Sequence, residues 1–292
     1  MPTDNLDPRA ILATLGFPNA ETVTPVSGGR DTAIFRVEHG TTIYALRVFR
    51  SEQQLVSQAE VLAMRAASAG GVPVPGVHAH GVHDGRPALL LDWCEGMMVV
   101  EALGRWPEQA TALGAASGEV LARIHAVMVP AEYRDHSWLC WGGLAPDDPL
   151  SHQLVAFARH DRLLHLDFHP LNVLTDGERI TAVLDWANAH AGDPRADLAR
   201  AISIIRLDAG DAPPEARPIL RAFERGLRDG YARAAGSPVD MPLFHIWAGR
   251  AMRHDLAPRL STNPAQAARI CRWIRLWERH TRIVASDDSA LD

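Results

Sequence analysis

The segment HLDFHPLNVL at residues 165–174, followed by AVLDW at residues 182–186, decides how the rest of the chain is interpreted. Together the two segments carry Asp167, Asn172 and Asp185, two carboxylates and one amide within nineteen positions. Carboxylate and amide oxygens are the ligands that Mg²⁺ prefers in proteins. We therefore expect these three side chains to form one polar site.

Local signals place this site at a β-hairpin. Two apolar runs, residues 171–174 and 180–184, are separated by Asp176-Gly177, which is typical of a hairpin turn. The loop that feeds this hairpin holds Asp167 and Asn172, and Asp185, which follows the second run, is expected to fold back beside it. Such an oxygen-rich set suits Mg²⁺ that holds nucleotide phosphates, because phosphoryl transfer depends on aligned reactants and on cations near the developing charge.

At these residues the chain resembles the aminoglycoside phosphotransferase and choline-kinase-like family. The shared pattern is His165-x-Asp167-x-x-x-x-Asn172, then a hydrophobic residue before Asp185, then GDPRADLA at residues 192–199. The resemblance covers residues 23–198 and implies a protein-kinase-like fold. It also implies transfer of the γ-phosphoryl group of ATP or GTP to a hydroxyl group of a small molecule.

The resemblance implies a role for each residue of the motif. Asp167 would orient the acceptor hydroxyl and accept its proton, and His165 would brace the catalytic loop. Asn172 and Asp185 would bind Mg²⁺. Asp197 would hydrogen-bond backbone amides near the loop.

Nucleotide-binding residues are expected in the first third of the chain. The turn formed by Ser27, Gly28 and Gly29 would present backbone amides to the phosphates. Arg47 stands where the family has a lysine, and Glu60, thirteen residues later, would be its acidic partner. Arginine stays charged and binds phosphate oxygens bidentately, so it can replace lysine. The alternative is a surface ion pair that contributes less than about 1 kcal/mol.

The strand expected at residues 88–92 leads into the turn Trp93-Cys94-Glu95-Gly96. This resembles the hinge of the family's fold, where backbone groups of Asp92 and Cys94 would hydrogen-bond a purine. Any strand followed by a turn gives the same pattern, so a purely structural role is the alternative.

Hydrophobic patterning predicts an α+β fold with two lobes and a cleft between them. Alternation around glycine turns favours antiparallel hairpins in the first third, and residues 51–69 have a helical period. Beyond residue 97 the pattern is mostly helical, with an irregular connection at residues 131–150. We expect a small antiparallel β-sheet lobe with one helix at residues 1–95 for the nucleotide, and a larger, mostly helical lobe at residues 96–292 for catalysis and the acceptor.

Composition excludes several other classes of protein. All 29 basic residues are arginine, so a Walker phosphate loop and Schiff-base lysine chemistry are excluded. The net charge of −6 gives no electrostatic reason to expect nucleic acid. No apolar run is long enough for a membrane span, and the N-terminus lacks signal-peptide features, so we expect a cytoplasmic protein without a membrane partner.

Two other classes of function stay open. His165, Asp167 and His169 alternate as metal ligands on a strand would, which fits a metallohydrolase. That interpretation leaves Asn172 without a role. The second alternative is a catalytically weak kinase fold that serves as a binding module, which the arginine at position 47 favours and the intact acidic motif does not.

The acceptor is predicted only as a class of compound. Polycationic aminoglycosides need an acidic surface, yet residues 211–292 carry more arginine than Asp plus Glu. The same region is aromatic, which indicates either core packing or a surface for a bulkier, less charged compound: Phe223, Tyr231, Phe244, Trp247, Trp273 and Trp277. We expect an antibiotic of aminoglycoside or macrolide type, with antibiotic resistance as the role, or else a choline- or homoserine-type metabolite. A monomer or a dimer is expected.

Overall fold

The computed structural model describes residues 6–26, 32–130, 137–208 and 212–281. The chain divides into two compact units. The first comprises the chain up to Gly96 together with residues 181–189, and the second comprises residues 97–180 and the chain from His190 onward. The predicted boundary at residue 95 differs from this division, because residues 181–189 belong to the first unit although they come much later in the sequence.

A five-stranded antiparallel sheet forms most of the first unit. Its strands are β1 (Thr22–Val26), β2 (Ala33–His39), β3 (Thr42–Val48), β4 (Val77–His83) and β5 (Arg86–Asp92), in the spatial order β1-β2-β3-β5-β4. The turns before β3 and β5 use Gly40 and Gly85 in left-handed backbone conformation, with φ of 60° and 74°. Glycine adopts this conformation without a steric penalty. The antiparallel N-terminal sheet predicted from the alternation is confirmed.

Two helices accompany the sheet. α1 (Pro8–Thr14) buries Ile11 and Leu12 in the same core as the inward side chains of β2 and β3. α2 (Gln54–Ala69) corresponds to the helical period at residues 51–69 and buries Glu60 on its inner face. α1 has no counterpart among the predicted elements, because two buried residues in seven positions give no measurable period.

Residues 181–189 are hydrogen-bonded to the first unit at two points. The Oγ1 of Thr181 donates to the carbonyl of Glu95 at 3.0 Å, and the N–H of Val183 donates to the carbonyl of Pro73 at 2.8 Å. The segment is therefore bonded to the turn after β5 and to the stretch after α2.

The second unit is mainly helical, as predicted. Its helices are α3 (Val99–Arg105), α4 (Ala110–Ala126), α5 (Ser137–Trp141), α6 (Pro149–Phe157), α7 (Pro194–Asp208), α8 (Ala216–Ala235), α9 (Met241–Asp255), α10 (Ala257–Leu260) and α11 (Pro264–Thr281). α5 lies inside the stretch 131–150 that was expected to be irregular, since five residues are too few to show a period. Across the described ranges, no helix combines the length and the apolar character that crossing a membrane requires.

Short strands position the loop at residues 165–172. β6 (Met97–Met98) pairs antiparallel with β8 (Val173–Thr175), and β7 (Arg162–Leu164) pairs antiparallel with β10 (His190–Gly192). The loop leaves β7 and enters β8. A turn at Asp176 then leads to β9 (Ile180–Val183), in the order predicted for the hairpin.

α4 and α8 lie with their backbones in direct contact. A Cβ atom built on Gly118 would be 2.1 Å from the carbonyl oxygen of Leu227. The contact is made by two glycines on each helix with a spacing of four residues: Gly114 and Gly118 on α4, Gly226 and Gly230 on α8. No larger residue fits at these positions without separating the helices, because the obstructing atoms belong to the backbone.

Candidate active site

Asp167 and Asn172 contact each other within the loop between β7 and β8. The Nδ2 of Asn172 donates to the Oδ2 and to the main-chain oxygen of Asp167, both at 3.0 Å, and lies 3.3 Å from the Nε2 of His169. The two oxygen acceptors fix which branch of the amide is nitrogen. Its Oδ1, on the other branch, has no hydrogen-bond partner in the described part of the chain.

Asp197, in the first turn of α7, holds the start of this loop. Its Oδ2 accepts from the N–H of His165 at 2.6 Å and its Oδ1 from the N–H of Leu166 at 2.9 Å. The Nδ1 of His165 in turn accepts from the N–H of Asp167 at 3.2 Å. Asp197 and His165 are fully buried, where hydrogen bonds are electrostatically stronger than in water. The structure thus places His165 at the backbone of Asp167, and Asp197 at the backbone of the two residues before it.

Two residues to which the sequence interpretation gave no role at the loop extend this network. The Nε2 of His125, on α4, lies 3.1 Å from the Oδ2 of Asp197, and its Nδ1 lies 2.9 Å from the hydroxyl oxygen of Tyr231, on α8. All three side chains are buried. A lone histidine on the apolar face of a predicted helix is the signal that identifies His125, whereas nothing local identifies Tyr231.

The surroundings favour the charged form of both carboxyl groups at the loop. Burial acts to raise the pKa of Asp197, but the hydrogen bond with His125 and other contacts outweigh it, and the pKa is lowered from its usual value. Burial opposes the charged form of Asp167 as well. His169 and then Arg200 outweigh it, so the pKa of Asp167 is also lowered. Asp167 is therefore a carboxylate at neutral pH.

Backbone strain occurs at two positions, one beside Asp167 in the second unit and one in the first unit. Leu166 and Asp185 have φ of 60° and 61°, which is uncommon outside glycine. Such a conformation costs on the order of 1–3 kcal/mol and persists only when surrounding contacts enforce it. Leu166 directly precedes Asp167, and Asp185 is itself a predicted site residue.

Arg47 is the centre of the predicted nucleotide-binding residues in the first unit. Its Nε donates to the Oγ1 of Thr32 at 3.1 Å, its Nη2 donates to the Oδ1 of Asp185 at 2.9 Å, and its Nη1 forms an ion pair with Glu60. The side chains of Arg47 and Glu60 are 13% and 1% exposed. The surface-pair alternative is therefore wrong, because this ion pair is buried.

Burial and charge act in opposite directions on this ion pair. Burial acts to lower the pKa of Arg47, but the charges of Glu60 and Asp185 outweigh it and raise the pKa. Burial raises the pKa of Glu60 against the opposing effect of Arg47, because a buried carboxylate loses its hydration. Moreover, the Oε2 of Glu60 has no hydrogen-bond partner among the described residues. Glu60 thus depends on Arg47 for its charged form.

Asp185 keeps one carboxylate oxygen available. Arg47 occupies its Oδ1, the side chain is 45% exposed, and Oδ2 has no hydrogen-bond partner within the ranges that the structure describes. The backbone of the next residue is held in place, because the N–H of Trp186 donates to the Oε1 of Glu60 at 3.3 Å.

The predicted purine-binding residues lie at the end of β5. The N–H of Asp92 donates to the carbonyl of Gly76 at 2.9 Å, and its carboxylate accepts from the N–H of Gly76 at 2.8 Å and contacts His78 at 2.6 Å. Cys94 is half-buried. Burial, and then the charge of Asp92, raise the pKa of its thiol to about 11. Ser27, Gly28 and Gly29 lie outside the described residues.

The predicted metal ligands, one in each unit, carry oxygens of the kind that Mg²⁺ binds. The available oxygens of Asn172 and Asp185 are hard ligands, and Mg²⁺ sites commonly use one or two carboxylates together with substrate phosphates rather than an all-protein cage. In the described ranges, no group of three or more His, Cys, Asp or Glu side chains could hold a metal ion. The metallohydrolase alternative therefore has no convergent cluster at His165, Asp167 and His169.

A five-stranded antiparallel sheet followed by a helical unit is the architecture of the protein-kinase-like phosphotransferases. A family model described as the phosphotransferase enzyme family (APH) matches residues 22–237. The chain belongs to this family.

Solved structures of aminoglycoside phosphotransferases share the fold. A thermostable mutant of APH(4)-Ia, in ternary complex with AMP-PNP and hygromycin B, has a TM-score of 0.64 and 20% identity over 94% of this chain and 98% of that chain. Spectinomycin phosphotransferase APH(9)-Ia, in complex with ADP and spectinomycin, has a TM-score of 0.54 and 14% identity over 88% and 89%. APH(3'')-Id from Streptomyces rimosus has a TM-score of 0.54 and 18% identity over 83% and 96%.

The mouse protein named acyl-CoA dehydrogenase family member 10 is a relative in sequence. The two are 28% identical over 213 residues, which is 63% of this chain and 19% of the mouse protein. This chain thus spans less than a fifth of the length of that relative.

Proposed function

We propose that this chain transfers the γ-phosphoryl group of ATP or GTP to a hydroxyl group of a small molecule. The observation that carries the proposal is the geometry of the loop at residues 165–172. There the carboxylate of Asp167 is bonded to Asn172, and the backbone before it is fixed by Asp197. Membership of the phosphotransferase enzyme family supports the type of reaction.

Asp167 would orient the acceptor hydroxyl and accept its proton, and His165 would brace the loop. The Asp167 side chain is 25% exposed, its Oδ2 accepts from Asn172 at 3.0 Å, and its Oδ1 lies 3.5 Å from the Nε2 of His169. Oδ1 has the longer contact and is the oxygen we assign to the hydroxyl. A carboxylate with a lowered pKa is a weak base. This suits a loose transition state, in which positioning of the hydroxyl matters more than early removal of its proton.

Asn172 and Asp185 would hold Mg²⁺ through their available oxygens. When bound, the ion supplies positive charge at the nucleotide phosphates. Arg47 would bind phosphate oxygens, because each of its two terminal nitrogens keeps a second N–H donor beyond the contacts with Glu60 and Asp185. Glu60 would hold Arg47 in this orientation.

The remaining nucleotide contacts follow from the resemblance. Ser27, Gly28 and Gly29 would cover the phosphates, and backbone groups of Asp92 and Cys94 would bind the purine. Since the N–H of Asp92 already donates to another residue, its carbonyl is the group we assign to the base. Residues 1–95 would then serve the nucleotide, and residues 96–292 catalysis and the acceptor.

The proposed acceptor is an antibiotic of aminoglycoside or macrolide type. Two structural neighbours bind hygromycin B and spectinomycin. The aromatic residues of α8, α9 and α11 give no separate support for a bulky acceptor, because five of the six are buried: Phe223, Tyr231, Phe244, Trp247 and Trp273. A choline- or homoserine-type metabolite is the second candidate of the same reaction class.

One transfer assay tests the reaction and its residues. Purified protein is incubated with Mg²⁺ and radiolabelled ATP or GTP against aminoglycosides, macrolides, choline and homoserine. We expect label in one acceptor class, and a loss on the order of 10²–10⁴ in rate for Asp167→Asn, because the proton acceptor is removed. Asp185→Ala should also abolish transfer.

Asp84→Asn is the matched control, since Asp84 is an exposed turn residue with a side chain that is 90% exposed. Its transfer rate should equal that of the wild type. Full activity of Asp167→Asn would refute the role of Asp167. Nucleotide binding without transfer to any acceptor would instead favour the binding module.

A further inference from the structure

We propose that Arg200 is a positioning residue, which holds the loop at residues 165–172 in its working conformation through the main-chain carbonyl of Leu166. The inference deepens the proposed function and rests on the role given there to Asp167. Arg200 is not part of the motif that carries the family resemblance.

Arg200 lies on α7 and is 1% exposed. Its Nε donates to the carbonyl oxygen of Leu166 at 3.4 Å, and its Nη2 donates to the Oδ2 of Asp255, at the end of α9, at 2.5 Å. The centre of the guanidinium lies 5.4 Å from the ring centroid of Trp141. The Arg200 side chain therefore connects α7 both to the end of α9 and to the backbone of the loop.

Asp197 and Arg200 act on the same residue from the same face of α7. They are three positions apart, so their side chains are neighbours on the helix. Asp197 accepts from the N–H of Leu166, and Arg200 donates to its carbonyl. Both backbone groups of a residue with φ of 60° are thus held by side chains of one helix. If the carbonyl were released, the strained backbone could relax and reorient the next residue, Asp167.

The cost of burying this arginine also points to a role beyond stability. A buried ion pair is often no more stabilising than an apolar pair of similar volume. The arrangement here is less favourable still, because Nη1 of Arg200 is buried without a hydrogen-bond partner in the described residues. A buried polar group that lacks a partner calls for an explanation. The hydrogen bond from Nε to the carbonyl of Leu166 is a function for which the protein would keep this unfavourable burial.

Direct contact between Arg200 and the acceptor is not supported. The Arg200 side chain is 2% exposed, so it reaches the reacting groups only through the loop. The lowered pKa of Asp167, to which Arg200 contributes, is consistent with the short path between them.

Hydrogen exchange of the protein without nucleotide tests this inference separately from phosphoryl transfer. The variant is Arg200→Met, and exchange is followed by mass spectrometry in peptides that cover residues 163–174. We expect exchange in these peptides to rise by roughly tenfold, the effect of losing one hydrogen bond to a charged donor. Peptides from α4 and α8 should change little.

Arg206→Met is the matched control on the same helix, because Arg206 is bonded to Glu224 at 2.6 Å and does not contact the loop. Its loop peptides should exchange as in the wild type. Arg200→Met with unchanged loop exchange, or with a rise spread evenly over the second unit, overturns the inference. If Arg200→Met does not fold, Asp255→Ala decides, since it removes only the half-exposed partner. A local rise supports the inference and unchanged exchange overturns it.

Discussion

At the scale of single residues, the arginine at position 47 is more than a charge in the place of a lysine. Its planar guanidinium bonds Thr32, Glu60 and Asp185, which come from three separate segments of the first unit. An ammonium group is a compact point charge on a flexible stem and does not reproduce this planar set of donors. The residue therefore fixes Asp185 as well as offering donors to a phosphate.

Arg47→Lys should for this reason weaken nucleotide binding, although it introduces the residue typical of the family. We expect the affinity for Mg²⁺-ADP to fall by roughly tenfold, since at least one charge-assisted hydrogen bond is lost. Titration calorimetry on the wild type and the variant measures this directly. Arg179→Lys, at an exposed ion pair with Asp176, is the control that should bind normally. If Arg47→Lys and the wild type bound Mg²⁺-ADP with equal affinity, the hydrogen bonds of Arg47 would serve only the structure and not the nucleotide.

The sequence identified the loop residues but not the residues behind them. Asp167 and Asn172 lie five positions apart in one loop, so the sequence could assign them to one site, whereas the hydrogen bond between them is seen only in the structure. By contrast, the contact of Arg200 with Asp255 joins residues 55 positions apart. No local pattern encodes such a pair, because the two helices meet only after the second unit has packed.

At the scale of elements, the contact of α4 with α8 depends on residues that have no side chain. Glycine in a helix interior costs about 1 kcal/mol relative to alanine. Four glycines in two helices are therefore unfavourable locally. They are accommodated because the helices pack backbone to backbone, which no larger residue allows.

Gly118→Ala should destabilise the protein in spite of the better helix propensity of alanine. Its Cβ would lie 2.1 Å from the carbonyl oxygen of Leu227, and overpacking of this kind costs about 1–3 kcal/mol or more. Gly104→Ala on α3 is the matched control, because no atom lies within 4 Å of its Cβ position. That variant should gain up to about 1 kcal/mol. Urea unfolding of both variants checks the opposite signs, and a Gly118→Ala protein as stable as the wild type contradicts the packing.

Predictability from sequence differs among the elements for physical reasons. β2 alternates between buried and half-buried positions, and α2 is long enough to show a period, so they could be found in advance. α1 and α5 have seven and five residues and are too short for that. The return of residues 181–189 to the first unit depends on hydrogen bonds to distant residues such as Pro73, which no local signal shows.

At the scale of the whole molecule, one buried histidine makes the free energy of unfolding depend on pH. His245 is 1% exposed and stacks on Trp277 at a centroid distance of 4.2 Å. Burial lowers its pKa to about 3, and the charges of Arg228 and Arg206 act in the same direction. Both arginines are bonded to Glu224, which lies between them. The folded protein therefore keeps this imidazole neutral.

The stability of the protein should fall in mild acid because of this residue. In the unfolded chain a histidine takes up a proton near pH 6.5, whereas His245 in the folded chain does so only near pH 3. The contribution of neutral His245 to the free energy of unfolding is fully present above pH 6.5, and it is lost progressively as the pH falls from 6.5 towards 3. At about pH 5 the loss is roughly 2 kcal/mol.

Urea unfolding at about pH 7.5 and about pH 5 measures this loss. His245→Phe keeps an aromatic ring beside Trp277 and removes the titrating group. The drop in the free energy of unfolding between the two pH values should be smaller in the variant by roughly 2 kcal/mol. An identical drop in both proteins would assign the acid sensitivity to other groups.

The backbone contact between α4 and α8 also links the evolutionary histories of distant positions. Tyr231 directly follows Gly230, and His125 lies seven residues after Gly118, so the bond between the two rings depends on how closely the helices approach. A lineage that enlarges one of the four glycines separates the helices, and Asp197 then loses its buried partner. Among descendants of a common ancestor, we expect these glycines and the His–Tyr pair to co-vary, changing together or persisting together.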